Sequence, residues 1–356
     1  MKKSDSLFLA ACILTSTAMI GFSFGWGVGP SLPVGNHLQT ASVIDSISQI
    51  AVISPSTIPS LQTVSPPSLT ILIAGDIMLD RHIRAVGEKK GYDSLFASTT
   101  GLFKNEDVVV ANLEGPVTSS SSRTLLQNGR TTASLAFTFA TSSPEALVHA
   151  GIQLVSLANN HTDNYGRSGF DETLSWLDAA GLGYFGNPWN DSGTEKIISK
   201  NGITIAFVGY NAFGGGTGAF KRVKDDVARL SAAGNFVVVM PHWGEEYVSY
   251  PSDEVRAQAK ALVGAGASAI IGSHPHVIGD HEFIQGVPVF YSLGNFIFDQ
   301  YFSAHVMKGN LVELTIKKDA TSPAGAHISG IKVYETSLSS HEGPSIDFSK
   351  TIDISL

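Results

Sequence analysis

The chain has 356 residues, 43% of them apolar, with 36 glycines and a formal charge of -8 at pH 7. That length supports one large core or two smaller ones, and no basic stripe offers phosphates a counter-surface, which excludes a nucleic-acid binder. Cys12 is the only cysteine, so a disulfide framework is excluded too.

Lys2 and Lys3 precede an uncharged run from Ser6 to Pro30 that contains LFLAACILTSTAMIGFSFGWGV. A bilayer crossing takes roughly 20 apolar residues, whereas the apolar part of a cleaved signal spans about 7–15. Residues 1–30 therefore read as an uncleaved signal-anchor, single-pass in the cell membrane; cleavage would instead secrete the chain. Lysines ahead of the span hold that end in the cytoplasm and place the chain beyond Pro30 on the extracytoplasmic side. Leu9-Ala10-Ala11-Cys12 is similar to a lipoprotein signal box, but few apolar residues precede it, and a cysteine inside a membrane helix is the simpler reading. Residues 31–68 are rich in Ser and Thr and interrupted by Pro55, Pro59, Pro66 and Pro67. They read as a tether holding a domain away from the membrane.

The folded domain is expected over residues 69–340, followed by a tail at 341–356. Leu69 to Ile73, Asp107 to Ala111, Ile152 to Leu157, Asn235 to Met240 and Ser268 to Ile271 are short, nearly continuous apolar runs rich in β-branched residues. Such runs suit strands buried on both faces. Between them, Gly169 to Ala180, Phe220 to Ala233 and Asp253 to Gly264 carry apolar residues at helical spacing. Asn201-Gly202, between Lys196–Lys200 and Ile203–Gly209, signals a hairpin, and a similar pair flanks Gly286. Thr118 to Ser134 reads as a mobile surface loop, and LVELTI and ISGIKVYETSL near the end read as added strands. The pattern predicts a layered α/β architecture with mixed sheets and outer helices.

Each apolar run is followed by metal-type donors: Gly75-Asp76, Asn112-Leu113-Glu114, Asn159-Asn160-His161, His242-Trp243-Gly244-Glu245 and Ser273-His274-Pro275-His276. In open α/β sheets the carboxyl ends of parallel strands line the ligand crevice, so these tails can converge. Singly, each has a plainer role: an aspartate caps a helix, paired asparagines make a turn, a histidine sits on the surface. Jointly, carboxylates, an amide and three imidazoles form a donor set that borderline divalent metals accept. In His274-Pro275-His276 an extended backbone would put both imidazoles on one side. In Asn160-His161 an amide ligand would leave the next imidazole beside a metal, free to stabilise an oxyanion or move a proton.

The ordered motifs GDIMLDR, NLEGPV, LANNHTDNYG, MPHWGEEY, GSHPHV and YSLGNFIFDQ resemble the capsule-synthesis CapA family, also called the poly-gamma-glutamate biosynthesis PgsA-type proteins. The resemblance covers about Leu69 to Gln300 and implies the calcineurin-like metallophosphoesterase fold, a two-sheet α/β sandwich with flanking helices. Carried over residue by residue, it implies a site for one or two divalent ions, Mn, Fe or Zn. One ion would take Asp76, Glu114 and His276; the other would take Glu114, Asn160, His242 and His274. His161 matches the adjacent catalytic histidine. Met78 stands where the parent fold has a histidine ligand, and Glu114 where it has an aspartate; both departures resemble a trait of CapA-type sequences. Asp80 and His82 lie close enough in sequence to replace the absent ligand, but a helix or loop bearing them that faces solvent is the plainer reading. Asn112, Asp163, Glu245, Glu246 and Asn295 are candidates to orient imidazoles or line the pocket, and Arg81 and Arg167 to hold an anionic substrate.

The resemblance implies a membrane-anchored, extracytoplasmic protein of capsule biosynthesis or export, acting on poly-gamma-glutamate with a metal-dependent hydrolase or transferase site. Its partners would be that anionic polymer, the membrane through the N-terminal helix, and a membrane synthase complex. Two alternatives are a non-catalytic polymer-binding accessory of the synthase and a metal-free acid/base enzyme that acts on a peptide through His161 and Glu114.

Overall fold

The computed structural model describes residues 66–125, 130–339 and 344–356. The expected anchor and nearly all of the expected tether lie outside the described residues. Within the described residues, no helix is long and apolar enough to cross a membrane.

Strands β1 (Ser68–Ile77), β2 (Val108–Leu113), β3 (Leu154–Ser156) and β4 (Gly183–Phe185) run parallel and begin the first sheet. The second sheet contains β5 (Glu195–Lys200), β6 (Ile203–Asn211), β7 (Phe236–His242), β8 (Ala269–Ile271), β9 (His281–Ile284) and β10 (Val287–Phe290) in the order β5-β6-β7-β8-β10-β9. The chain then returns to the first sheet. There β11 (Asn295–Ile297) pairs parallel with β1, and β12 (Lys308–Lys318), β13 (Ala326–Ser337) and β14 (Ser345–Ile354) extend it antiparallel. The tail expected at 341–356 is thus part of a sheet: Ser345 to Ile354 add a seventh strand to the path β14-β13-β12-β1-β2-β3-β4.

Side-chain alternation explains the layering. In β1, Leu69, Ile71 and Ile73 face a cluster shared with Ile205 and Phe207 of β6 and Val238 of β7, so the two sheets pack face to face. Leu72 and Ala74 face the opposite way, against Ile83, Phe103, Leu147 and Leu177. These come from α1 (Arg81–Lys90), α2 (Thr100–Phe103), α3 (Ser143–Ala150) and α4 (Gly166–Ala180). On the second sheet, Ala206, Val208, Val237 and Val239 cover α5 (Ala219–Ala232) and α6 (Asp253–Gly264) through Val223, Val227, Ala259 and Leu262. A strand buried on both faces has no polar side to show, which is why these runs read as continuously apolar. The result is a mixed α/β fold of two sheets with helices outside.

The hairpin at Asn201-Gly202 forms as its sequence predicts, with φ of 55° and 71°, the two positive values a type I′ turn requires. The loop expected at 118–134 is anchored inward at several points: Thr118 and Thr124 are buried, and the Ser122 hydroxyl donates to Asp80 Oδ1 at 2.7 Å.

One close approach sets the edge where the site forms. A Cβ on Gly75 would stand 2.0 Å from the carbonyl oxygen of Gly294, the residue whose carbonyl accepts from the Asp76 N–H at 3.1 Å. Any side chain there pushes β1 away from β11. Gly75→Ala is therefore expected to cost about 1–3 kcal/mol, the usual cost of overpacking, read as a lower urea midpoint at unchanged slope.

Candidate functional site

Because β1, β2 and β3 are parallel, and β6, β7 and β8 are parallel, their carboxyl ends meet where hydrogen bonds cross from one sheet to the other. Asp76 Oδ1 accepts from Asn112 Nδ2 at 2.8 Å, and Oδ2 accepts from the backbone N–H of His274 at 3.2 Å. Asn112 is fixed in turn, its Oδ1 accepting from Asn159 Nδ2 at 3.1 Å. Asp76, Asn112, Glu114, His242, His274, His276 and Asn295 are all buried.

Glu114 carries the greatest cost. It is fully buried, and neither carboxylate oxygen has a hydrogen-bond partner among the described residues. His276 Nε2 lies 3.6 Å and His242 Nε2 3.8 Å from Glu114 Oε1. His242 Nε2 also stands 2.9 Å from Asn160 Oδ1 and 3.1 Å from His274 Nδ1. Atoms that each bind one ion at about 2.1 Å stand about 3–3.5 Å apart, so these spacings are of the size a metal imposes. Asp76, Glu114 and His242 offer ligand atoms that lie within 4.8 Å of one another, a group able to hold a metal ion. The structure thus brings together all six expected donors.

Neighbouring amides hold the imidazoles. Asn295 Nδ2 donates to the carbonyls of His276 and Val306, which leaves its Oδ1 to accept from His276 Nδ1 at 3.0 Å and turns Nε2 toward Glu114. His242 Nδ1 contacts Ser273 Oγ at 2.9 Å and Asn112 Nδ2 at 3.3 Å. Such partners fix ring orientation at metal sites.

The charges follow from burial and crowding. Burial, then the Asp76 carboxylate, raise the Glu114 pKa well above the ordinary value. Burial and the other histidines lower His242 well below the imidazole range, and lower His274 to about 4. Burial also opposes a charge on His276, but Glu114 and Asp76 together outweigh it and lift its pKa to about 9. Both shifts favour holding a proton inside the cluster.

His161 stands beside this cluster. Asn164 Oδ1 accepts from the Phe137 N–H at 2.8 Å and lies 3.1 Å from His161 Nδ1, so the ring proton is on Nδ1 and Nε2 carries a lone pair. Burial lowers the His161 pKa to about 4 against the opposing Asn164 bond. Its ring lies tilted against Phe137, with centroids 4.4 Å apart. Arg81 lies over Phe137 and Phe298 at 5.1 and 5.4 Å and pairs with Asp299. The Arg81 Nε is buried without a partner among the described residues, and its backbone has φ 52°. At another wall, the Phe213 ring lies tilted against His274, with centroids 4.2 Å apart.

Several expectations fail. His274 and His276 do not share an extended segment: their φ values are 98° and 57°, left-handed conformations that cost about 1–3 kcal/mol each. Met78 is buried in the outer core, its Sδ accepting from the Asp80 N–H at 3.1 Å. Asp80 does not replace it, because its oxygens are taken by Ser122 Oγ and the Thr138 N–H. His82 packs edge-on against Tyr301 instead. Among the described residues Asp163 makes no side-chain bond to an imidazole; Asn164, one residue on, does. Glu245 lines a neighbouring cavity, whereas the charge of Glu246 reaches His161, His274 and His276. Arg167 lies over Trp189 and bonds Asp191, away from the cluster. Asn164 was visible in LANNHTDNYG, but nothing in its type or spacing distinguished it from a turn former.

Residues 70–300 match the family model described as bacterial capsule synthesis protein PGA_cap. The chain belongs to this family. Over 284 residues it is 33% identical to the PGA biosynthesis protein CapA of Bacillus subtilis (strain 168), covering 74% of this chain and 72% of that one. Over 250 residues it is 34% identical to the capsule biosynthesis protein CapA of Bacillus anthracis, covering 65% of this chain and 60% of that one. Among solved structures, a hypothetical protein from Thermus thermophilus overlays with a TM-score of 0.47 at 18% identity, covering 75% of this chain and 98% of that one. The family match spans β1 to the segment after β11 and includes every residue of the cluster.

A divalent ion bound here must displace the proton that His276 holds below its pKa of about 9. Metal binding at pH 7 is expected to release protons, with the yield falling as pH rises through about 9. Titration calorimetry in buffers of different ionisation enthalpy reads this directly; a buffer-independent heat at pH 7 would contradict it.

Proposed function

We propose that the chain is a membrane-anchored, extracytoplasmic capsule-biosynthesis protein with a metal-dependent hydrolase or transferase site of calcineurin-like metallophosphoesterase type, acting on an anionic polymer of the poly-gamma-glutamate class. The observation that carries this reading is Glu114, buried among Asp76, three imidazoles and an amide with neither oxygen partnered among the described residues. Asp76, Glu114 and His276 would hold one ion, and Glu114, Asn160, His242 and His274 the other. Bound there, Mn, Fe or Zn would supply an activated water and charge to stabilise an oxyanion.

The chain's own groups supply the rest. Asn164 keeps the His161 proton on Nδ1, and the low pKa keeps the ring neutral near pH 7, so Nε2 can accept a proton and then deliver it to a leaving atom. Arg81, held against two aromatic rings, is placed to meet an anionic group of the polymer. Asn112 and Asn295 keep Asp76 and His276 oriented. The membrane anchor at residues 1–30 and a partner synthase belong to the same proposal and rest on the sequence and on family membership.

One observation favours a different reading. Met78 faces the outer core and adds no donor, as expected of an accessory protein that binds polymer and keeps the metal site as structure. Substituting His161, which is not among the metal ligands, separates the two readings. His161→Ala in the full chain is expected to keep its metal content by elemental analysis and to lower polymer production at least tenfold, whereas Glu114→Ala loses both. Full production with His161→Ala would set the catalytic reading aside.

A further inference from the structure

Phe213 is 51% exposed, yet the chain commits buried polar groups to holding it in place. It follows β6, whose last residue, Asn211, is buried beside the equally buried Asn190. Asn211 Oδ1 accepts from the Phe213 N–H at 3.1 Å, while its Nδ2 donates to the carbonyls of Asn159 and Pro188 at 3.0 and 2.8 Å. Asn190 clasps the Asn211 backbone, its Oδ1 accepting from the N–H at 2.8 Å and its Nδ2 donating to the carbonyl at 2.7 Å. The same Nδ2 reaches the Gly214 carbonyl at 3.0 Å, and Arg222 of α5 donates to the carbonyls of Asn190 and Gly215. A buried polar network whose members are paired in this way fixes one arrangement of the backbone. Packing fixes it too: a Cβ on Gly214 would stand 1.7 Å from the Pro188 carbonyl oxygen.

The ring held by this network lies on the imidazole pair. Its centroid is 4.2 Å from that of His274 and 6.1 Å from that of His242, the second contact edge-on. Those two imidazoles are themselves 4.8 Å apart, with His242 Nε2 and His274 Nδ1 turned toward each other. The remaining aromatic rings of the site gather elsewhere: Phe137 lies on His161, and Phe298 on His276. A half-exposed ring gains only part of the free energy of burial, so packing does not account for two buried asparagines spent on placing it. Its effect on the cluster does: an apolar face over two imidazoles keeps water from them and limits how far the His274 ring can turn. The apolar groups around a metal site govern how solvent and competing ligands reach it.

We infer that Phe213 is a positioning residue that closes the His242 and His274 side of the cluster to solvent, so that an ion held on that side exchanges slowly. The inference rests on the two-ion reading above and adds a difference between the positions: one sealed by Phe213, the other, on Asp76 and His276, independent of it.

Ion release from the zinc-loaded full chain tests this, with the freed zinc captured by an excess of the colorimetric chelator 4-(2-pyridylazo)resorcinol. The unsubstituted chain is expected to release zinc in two phases. Phe213→Ala should speed the slower phase at least tenfold and leave the faster within twofold, whereas Phe213→Tyr, which keeps the ring, should stay within twofold in both. Phe302→Ala removes a ring that is 67% exposed and packs on Tyr247, and it should change neither phase. The thermal midpoint of the metal-free protein should be the same in all four chains, since a merely structural role would lower it in Phe213→Ala. An unchanged slow phase in Phe213→Ala, equal acceleration of both phases, or a single phase in the unsubstituted chain overturns the inference. Absence of bound zinc in the unsubstituted chain would instead refute the metal reading itself, before any variant is compared.

Discussion

A carboxylate with no hydrogen-bond donor among the described residues, buried between two packed sheets, is the constraint on which the rest of this site depends. Desolvating Glu114 alone costs several kcal/mol even after relaxation, and placing the Asp76 carboxylate beside it adds repulsion. The surrounding chain answers with the few groups that can tolerate burial and still offset negative charge. Asn112 and the His274 N–H donate to Asp76, and His276 retains a proton that its burial alone would remove. Glu114 receives no such donor. A protein selected only for stability would place a leucine or a glutamine there; retaining a bare carboxylate makes sense where a cation belongs.

The same demand shapes the fold around it. The strands that end at the cluster are parallel, so every one arrives with its carboxyl end, and the two sheets are joined at that edge by polar bonds while their interior faces stay apolar. Gly75 allows β1 and the Gly294 turn to touch, and the strained conformations at His274 and His276 turn two neighbouring imidazole-bearing residues toward different partners. Local strain of this kind persists only where tertiary contacts over-determine it, and here the Asp76 and Asn295 bonds do so.

Much of this was legible in the chain because burial on two faces leaves a direct trace in composition. The apolar runs mark β1, β2, β3, β7 and β8, and the polar residues after them mark the shared edge. Other parts left no such trace. Helix α1 buries only Ile83 and Gly87, too thin a stripe to show periodicity, and β14 lies beyond the last strongly apolar run. Glu245 and Glu246 are identical neighbours. Only the backbone, with Gly244 at φ 90° and Tyr247 at φ 66°, turns one toward the cavity and the other toward the imidazoles. The Asn164 contact with His161, three residues away, is local, but it hides in a motif that also reads as a turn.

Met78 gives the site an asymmetry that the donor list alone conceals. Its side chain is used in packing and in accepting the Asp80 N–H, and the Asp80 carboxylate is used in holding residues 122 and 138. In the proposed assignment, the half built on Asp76 and His276 would therefore have fewer donors than the half built on Asn160, His242 and His274, although both would share Glu114. An ion on the sparser side would keep more of its coordination open to solvent or substrate, and it is this side that faces Arg81 through His276, Phe298 and His161.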